Sequence, residues 1–247
     1  MYEHTLALYR LLDALKERHP GLEIESCASG GARVDLGILA RTDRIWTSDC
    51  IDPIERLDNQ RYTGLLLPPE LMGAHISGPR SHSTHRSHDL SLRAGVAFFQ
   101  HLGIEWDISH ITDAEEAELT RWVGAHKAAR DLAHTGRTVH ADLPDASMDL
   151  RGVVAADGSR ALFTFTQRAT SATYPPGRLH LPGLDPLRTY TVRLAEPFDA
   201  VPGPGQSPLL WAQRGVTTTG RALATAGLQA PVLYPEQLVL LDVEATT

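Results

Sequence analysis

Residues 25–56 read ESCASGGARVDLGILARTDRIWTSDCIDPIER. Two β-like runs, LEIESC (22–27) and RIWTSDC (44–50), bracket a short helical turn. The first run closes on Cys27 and the small residues Ala28, Ser29, Gly30 and Gly31; the second closes on Asp49 and Cys50. Small residues at a strand end let a ligand approach the backbone and offer it amide N–H groups. Asp49 falls at the carboxyl end of its run, where βα architectures place their active sites. Acid–base hydrolysis generally needs two carboxylates, so the stretch poses a question: which residue would work with Asp49?

Outward from this stretch the elements alternate. Leu8, Leu11, Leu12 and Leu15 mark the apolar face of a first helix, stopped by Pro20 and Gly21. Asp52, Pro53 and Glu55 open a second helix with an acceptor at the N-cap and proline in the first turn. ELMGAHIS (70–77) is a third strand, SHDLSLRAGVAFFQHLG (87–103) a helix capped at Ser87 and closed by Gly103, and GIEWDIS (103–109) a fourth strand. Thr112 and Glu115 form a capping box for a long helix running to about His134. Beyond it, short alternating runs such as ALFTFTQ, TYTVRLAE and QLVLLDVEA stand between turn signals, among them Pro202 to Gly205. That texture predicts antiparallel β structure. The expected fold is α/β followed by all-β: about four βα units over residues 1–136, then an antiparallel, sandwich-like domain over 137–247. Four units are half of a (β/α)₈ TIM barrel, so the barrel is partial.

Composition narrows the function classes. The 247 residues carry a formal charge of −7 with no basic cluster, which excludes nucleic acid as a partner. Charges interrupt the N-terminal apolar residues, so a signal peptide is not expected, and no run is long enough to span a membrane. Cys27 and Cys50 are too few for a disulfide framework or a cysteine metal site, which points to a reducing, cytoplasmic setting.

Each candidate residue has a plain alternative. Asp49 is a functional carboxylate or an N-cap; Asp52 is the better cap because proline follows it. Gly31 is read as a turn residue needing positive φ, and Arg33 and Asp35 as a pair across the loop. Cys27 has no histidine placed to activate it as a nucleophile. The three-residue spacing of His82, His85 and His88 suits a polar loop better than a metal site. Glu105 and Asp107 near the fourth strand's end are second-carboxylate candidates, or structural groups at the rim.

At these residues the chain resembles glycoside hydrolase family 36, the bacterial α-galactosidases. The family pattern E-S/N-C-x-S-G-G-x-R-x-D, then W-T-S-D, then D-x-I/L-E-R, is met by ESCASGGARVD, WTSD and DPIER. The likeness continues through MGAHIS, GIEWDIS, TYPPGRLHLPGL and LYPEQLVLLDV. By resemblance Asp49 is the general acid/base, Cys27 lines the galactose pocket and Gly30 comes close to the sugar. Trp46 could face a sugar ring or pack in the core. Cys50 departs from the aspartate many members carry there. The family's nucleophile lies in a K-W/Y-D-x-N motif, which this sequence lacks, so Asp49's partner is expected in sequence outside this chain.

The resemblance implies a retaining glycosidase acting on terminal α-galactosyl residues of galacto-oligosaccharides, without cofactor or metal, the isolated chain being inactive or nearly so. A non-catalytic carbohydrate-binding or assembly subunit is the alternative of another class; transfer to an acceptor, or an α-N-acetylgalactosaminide substrate, are alternatives within the family. Expected partners are α-galactoside sugars. A chain carrying the first barrel half and a family-type homo-oligomer stay open, as does whether Met1 is a genuine start or a truncation.

Overall fold

The structure, a computed structural model, describes residues 2–204 and 209–246. Its first part alternates: α1 (Tyr2–Arg18), β1 (Glu25–Ser26), α2 (Leu36–Leu39), β2 (Arg44–Trp46), α3 (Pro53–Thr63), β3 (Met72–Ser77), α4 (Leu90–Ala97), β4 (His101–Glu105) and α5 (Asp113–Thr135). The four strands form one parallel sheet in chain order. Among the described residues β1 and β4 each have a single neighbour, so the sheet is an open arc. The expected partial barrel of four βα units is what forms.

Period-two alternation assigns the two faces of this sheet. In β3, Met72, Ala74 and Ile76 are buried in cores on the helix side. His75 turns the other way and meets Trp46 of β2 and Glu105 of β4. At α3 and α5, local signals set the helix starts as the sequence implied. Asp52 accepts from the Ile54 and Glu55 amides at the head of α3, with Pro53 at the first position. Thr112 and Glu115 close the capping box of α5.

Three expectations are corrected. Gly103 does not end a helix: α4 stops at Ala97 and Gly103 lies inside β4, opposite His75. A Cβ there would come within 2.6 Å of the His75 ring, so the glycine serves strand packing. The fourth strand therefore runs 101–105 rather than 103–109, and Asp107 caps a short 3₁₀ turn, Ile108–His110. The N-cap position of α4 is Asp89, not Ser87.

The second part contains β5 (Arg137–Ala141), β6 (Met148–Val154), β7 (Arg160–Gln167), β8 (Arg178–Leu179), β9 (Thr189–Leu194), α6 (Leu210–Arg214), β10 (Val216–Thr219), α7 (Gly220–Thr225), β11 (Leu228–Gln229) and β12 (Gln237–Ala245). An antiparallel sheet runs β10-β9-β12-β7-β6-β5, and β8 pairs with β11. The turn signal at Pro202 to Gly205 runs into residues 205–208, outside the described residues. One face of the large sheet, through Leu150, Val239, Leu241 and Val243, packs with Leu179, Leu223 and Leu228 in a core of its own. The other face sends Val153, Leu162, Leu238 and Leu240 into the same core as α4 and α5. Polar ties at α3 complete the contact: Arg168 grips Asp58 at 3.0 and 2.6 Å, and Arg151 donates to Gln60 at 3.1 Å. No helix among the described residues is long and apolar enough to cross a membrane.

Trp122 of α5 is 1% exposed and meets Phe98, just past α4, and Phe198 of the second part edge-on. It joins the two parts. Truncating a buried aromatic leaves a cavity costing about 3–5 kcal/mol. Trp122→Ala should lower the unfolding free energy by that amount in urea titrations. Leu66→Ala, at a side chain 81% exposed, should stay within ~0.5 kcal/mol.

Candidate active site

β1 and β2 run parallel and side by side, so their carboxyl ends open at the same edge of the sheet. Cys27 follows β1 directly, and Asp49 stands three residues beyond β2. The Cys27 thiol donates to Asp49 Oδ1 over 3.9 Å, and both residues are exposed. The two therefore face one opening.

The turn after Cys27 makes this possible. Ser29 and Gly30 both take positive φ, +51° and +62°. A Cβ on Gly30 would lie 2.6 Å from Ser48 Cα and 2.8 Å from Asp49 N. The bare glycine thus lets the first loop rest on the peptide that carries Asp49. The positive φ expected at Gly31 falls instead on its two predecessors; Gly31 is held by close approach to the Thr47 carbonyl, 2.7 Å from where its Cβ would be. The expected Arg33–Asp35 pair does not form. Asp35 caps α2 through the Ile38 amide at 2.8 Å and takes the Tyr9 hydroxyl, also at 2.8 Å. Those bonds hold its carboxyl below the usual range.

Asp52 anchors the other side. Its carboxylate, fully buried, takes the Ile54 amide, the Thr84 hydroxyl and Arg86 Nε at 2.7 Å. Burial pushes this carboxyl upward, but Arg86 and Thr84 outweigh it and the net shift is downward. Through Thr84 and Arg86 the loop between β3 and α4 is tied to the head of α3. Its Ser83 hydroxyl then sits 3.1 Å from the Cys50 thiol. His82 and His85 of this loop are exposed, whereas His88 is buried 3.3 Å from Glu236. Among the described residues no group of histidine, cysteine and carboxylate side chains could hold a metal.

Trp46 is 8% exposed, stacked on His75 at 4.2 Å with the Arg56 guanidinium 4.3 Å from its ring centre. These contacts favour the packing role the sequence also allowed. Glu105 accepts from His75 Nδ1 at 3.1 Å, and Asp107 holds Ser109, so both have structural partners. Sequence reasoning missed His75 and gave Arg56 no role. Their partners are far apart in sequence, and only the register brings them together. A cavity of about 450 Å³ between α3, α5 and β6, lined by Gln60, Gln100, His140 and Arg151, does not include Asp49 or Cys27. Its wall also contains Leu67 to Glu70 and Met72, which lead into β3, so it lies toward the opposite end of the sheet.

The fold is a partial βα barrel of four parallel strands joined to an antiparallel β domain, with an exposed carboxylate at one strand exit. Residues 1–136 match the Melibiase family profile, and residues 150–239 match the glycosyl hydrolase family 36 C-terminal domain. The chain belongs to glycoside hydrolase family 36. It is 41% identical over 246 residues to an α-galactosidase of Escherichia coli, covering 97% of this chain and 35% of that protein. It is 35% identical over 193 residues to α-galactosidase C of Emericella nidulans, covering 77% of this chain and 26% of the relative. The crystal structure of α-galactosidase AgaA from Geobacillus stearothermophilus superposes with a TM-score of 0.84 at 29% identity, over 98% of this chain and 31% of that one. The chain thus spans about a third of the length of such relatives.

The close approach at Gly30 has a measurable cost when filled. A side chain in the left-handed region costs about 1–3 kcal/mol, and overpacking adds a similar amount. Gly30→Ala should lose roughly 2–5 kcal/mol of stability. Gly21→Ala, also at positive φ but with open space around it, should lose only about 1 kcal/mol. Equal losses would mean the contact with Asp49's peptide carries no energy.

Proposed function

We propose that this chain supplies the acid/base half of a retaining α-galactosidase, with Asp49 as the general acid/base. The supporting observation is the exposed Asp49 carboxylate at the exit of β2, in contact with Cys27 from the exit of β1. In this reading residues 1–136 are the second half of the barrel and 137–247 the C-terminal domain, working in a reducing compartment. Variants of the Geobacillus enzyme have been crystallised with raffinose and with stachyose, which supports terminal α-galactosides as the substrate class.

The chemistry divides between two carboxylates. A nucleophile supplied by the first half of the barrel attacks the anomeric carbon and forms a galactosyl–enzyme ester. Asp49 protonates the departing oxygen, then deprotonates the water that opens the ester. Retaining enzymes hold the two carboxyl groups ~5.5 Å apart. Cys27 and Gly30 would border the sugar, and Trp46 would act from behind, through its packing. The open arc of β1–β4 favours a second component, since exposed strand edges invite pairing. The same arc also suits a non-catalytic assembly subunit.

Galactose release from raffinose separates these readings. The chain alone should release almost none, because protonating the leaving group cannot replace the nucleophile. Combined with the first half of the barrel it should turn over. Asp49→Asn keeps the size and removes the titrating carboxyl, so it should lower that turnover by ~10²–10⁴-fold. Turnover that survives Asp49→Asn would overturn the acid/base assignment. Robust turnover by the lone chain would overturn the divided site.

A further inference from the structure

We propose that Arg56 is the positioning residue for Asp49: with Gly30 it clamps the Ser48–Asp49 peptide from both sides and fixes the direction of the carboxylate. The proposal rests on the reading of Asp49 as acid/base and adds the group that aims it.

Arg56 is 4% exposed, one turn into α3, with its own amide bonded to the Asp52 carbonyl at 2.9 Å. Nη1 donates to the Ser48 carbonyl at 2.9 Å and Nη2 to the Gly73 carbonyl at 3.0 Å. Among the described residues no carboxylate lies within ion-pair distance of it. Burial pulls its pKa down to about 10, which leaves it cationic at neutral pH.

A buried cation with no carboxylate in direct contact, Glu105 acting on it only at longer range, is a costly way to fill space. An aliphatic side chain could pack against Trp46 without that cost. What a guanidinium adds is a rigid planar fork able to hold two carbonyls at once. The two it holds are chosen by position. β2 ends at Trp46, so no strand pairing fixes the Ser48 carbonyl. That carbonyl and the Asp49 amide belong to one planar peptide unit. Arg56 grips the oxygen, and Gly30 lies against the other edge of the same peptide, where an added Cβ would fall 2.6 Å from Ser48 Cα and 2.8 Å from Asp49 N. With the peptide plane fixed at both ends, the Asp49 side chain leaves toward Cys27. The bond to Gly73 O ties the clamp to β3. The Asp52 cap holds the helix turn from which Arg56 projects.

The test uses the full chain labelled with ¹⁵N-aspartate, as wild type, Arg56→Lys and Arg56→Met. Lysine keeps the charge but has one nitrogen, too few to hold both carbonyls in the fork's geometry. The Asp49 amide order parameter should be about 0.85 in wild type and fall below ~0.6 in both variants. The amide of Asp58, further along α3, should be unchanged. Should Arg56→Met fail to fold by circular dichroism, Arg56→Lys decides. An Asp49 amide as rigid as in wild type overturns the clamp. Loosening of Asp49 and Asp58 together does so too, by reducing Arg56 to a helix-packing role.

In the enzyme completed with the first half of the barrel, Arg56→Lys should lower kcat about 10²-fold with KM nearly unchanged, as expected for a misplaced catalytic group. An unchanged kcat overturns the proposal. A completed enzyme that survives Asp49→Asn instead overturns the acid/base reading, and the amide measurement still decides whether Arg56 fixes the peptide.

Discussion

The approach of Gly30 to the Ser48–Asp49 peptide is the constraint on which the rest of the site depends. Two loops leave adjacent parallel strands, and they can share one opening only if the first rests directly on the second. Any side chain at residue 30 would strike the backbone of Ser48. With the glycine in place, Cys27 reaches Asp49, and the Asp49 peptide is pinned between the first loop and Arg56. Arg56 in turn covers Trp46, which stacks on His75, which is bonded to Glu105. A single line of contacts thus runs from the exit of β2 across the open face of the sheet to β4.

The antiparallel domain supports this line from the other side. Its large sheet has two apolar faces, one closed by its own small strands and helices α6 and α7, the other by α4 and α5. The shared core holds α4 and α5 against the sheet. It leaves the opposite face, with Arg44, His75 and Glu105, free of helices among the described residues. That open face is polar. Its charges pair within the chain, Arg44 with Glu23 and Glu25, and His75 with Glu105.

Features written in short, local signals were legible in the sequence. Asp52 followed by proline, and Thr112 with Glu115, fix helix starts through bonds spanning three residues, and both formed as expected. The alternation of βα units, and the change to short alternating runs after α5, gave the architecture. Gly103 was misread because a glycine that ends a helix and one that clears space for a neighbour look alike in one dimension. Its reason is His75, on the adjacent strand. The short strands β5, β10 and β11 lack strong punctuation and owe their state to pairing partners, so local pattern did not reveal them. At the site, the motif pointed to Asp49 and Cys27, and the structure puts them in contact. The fork of Arg56 was invisible, because its value lies in two backbone carbonyls that carry no residue identity.

The central claim is that Asp49 acts as acid/base while the nucleophile comes from outside this chain. The stereochemistry of azide trapping tests it most directly. In the completed enzyme carrying Asp49→Ala, an aryl α-galactoside should still form the galactosyl–enzyme ester, since an aryl oxide leaves without a proton. Azide then enters from the face Asp49 has vacated, the enzyme carboxylate departs, and the product is the α-galactosyl azide, with configuration retained. The β-galactosyl azide would contradict the account. It would mean that azide had displaced the aryl oxide directly, in the place of a lost nucleophile, and that Asp49 was that nucleophile.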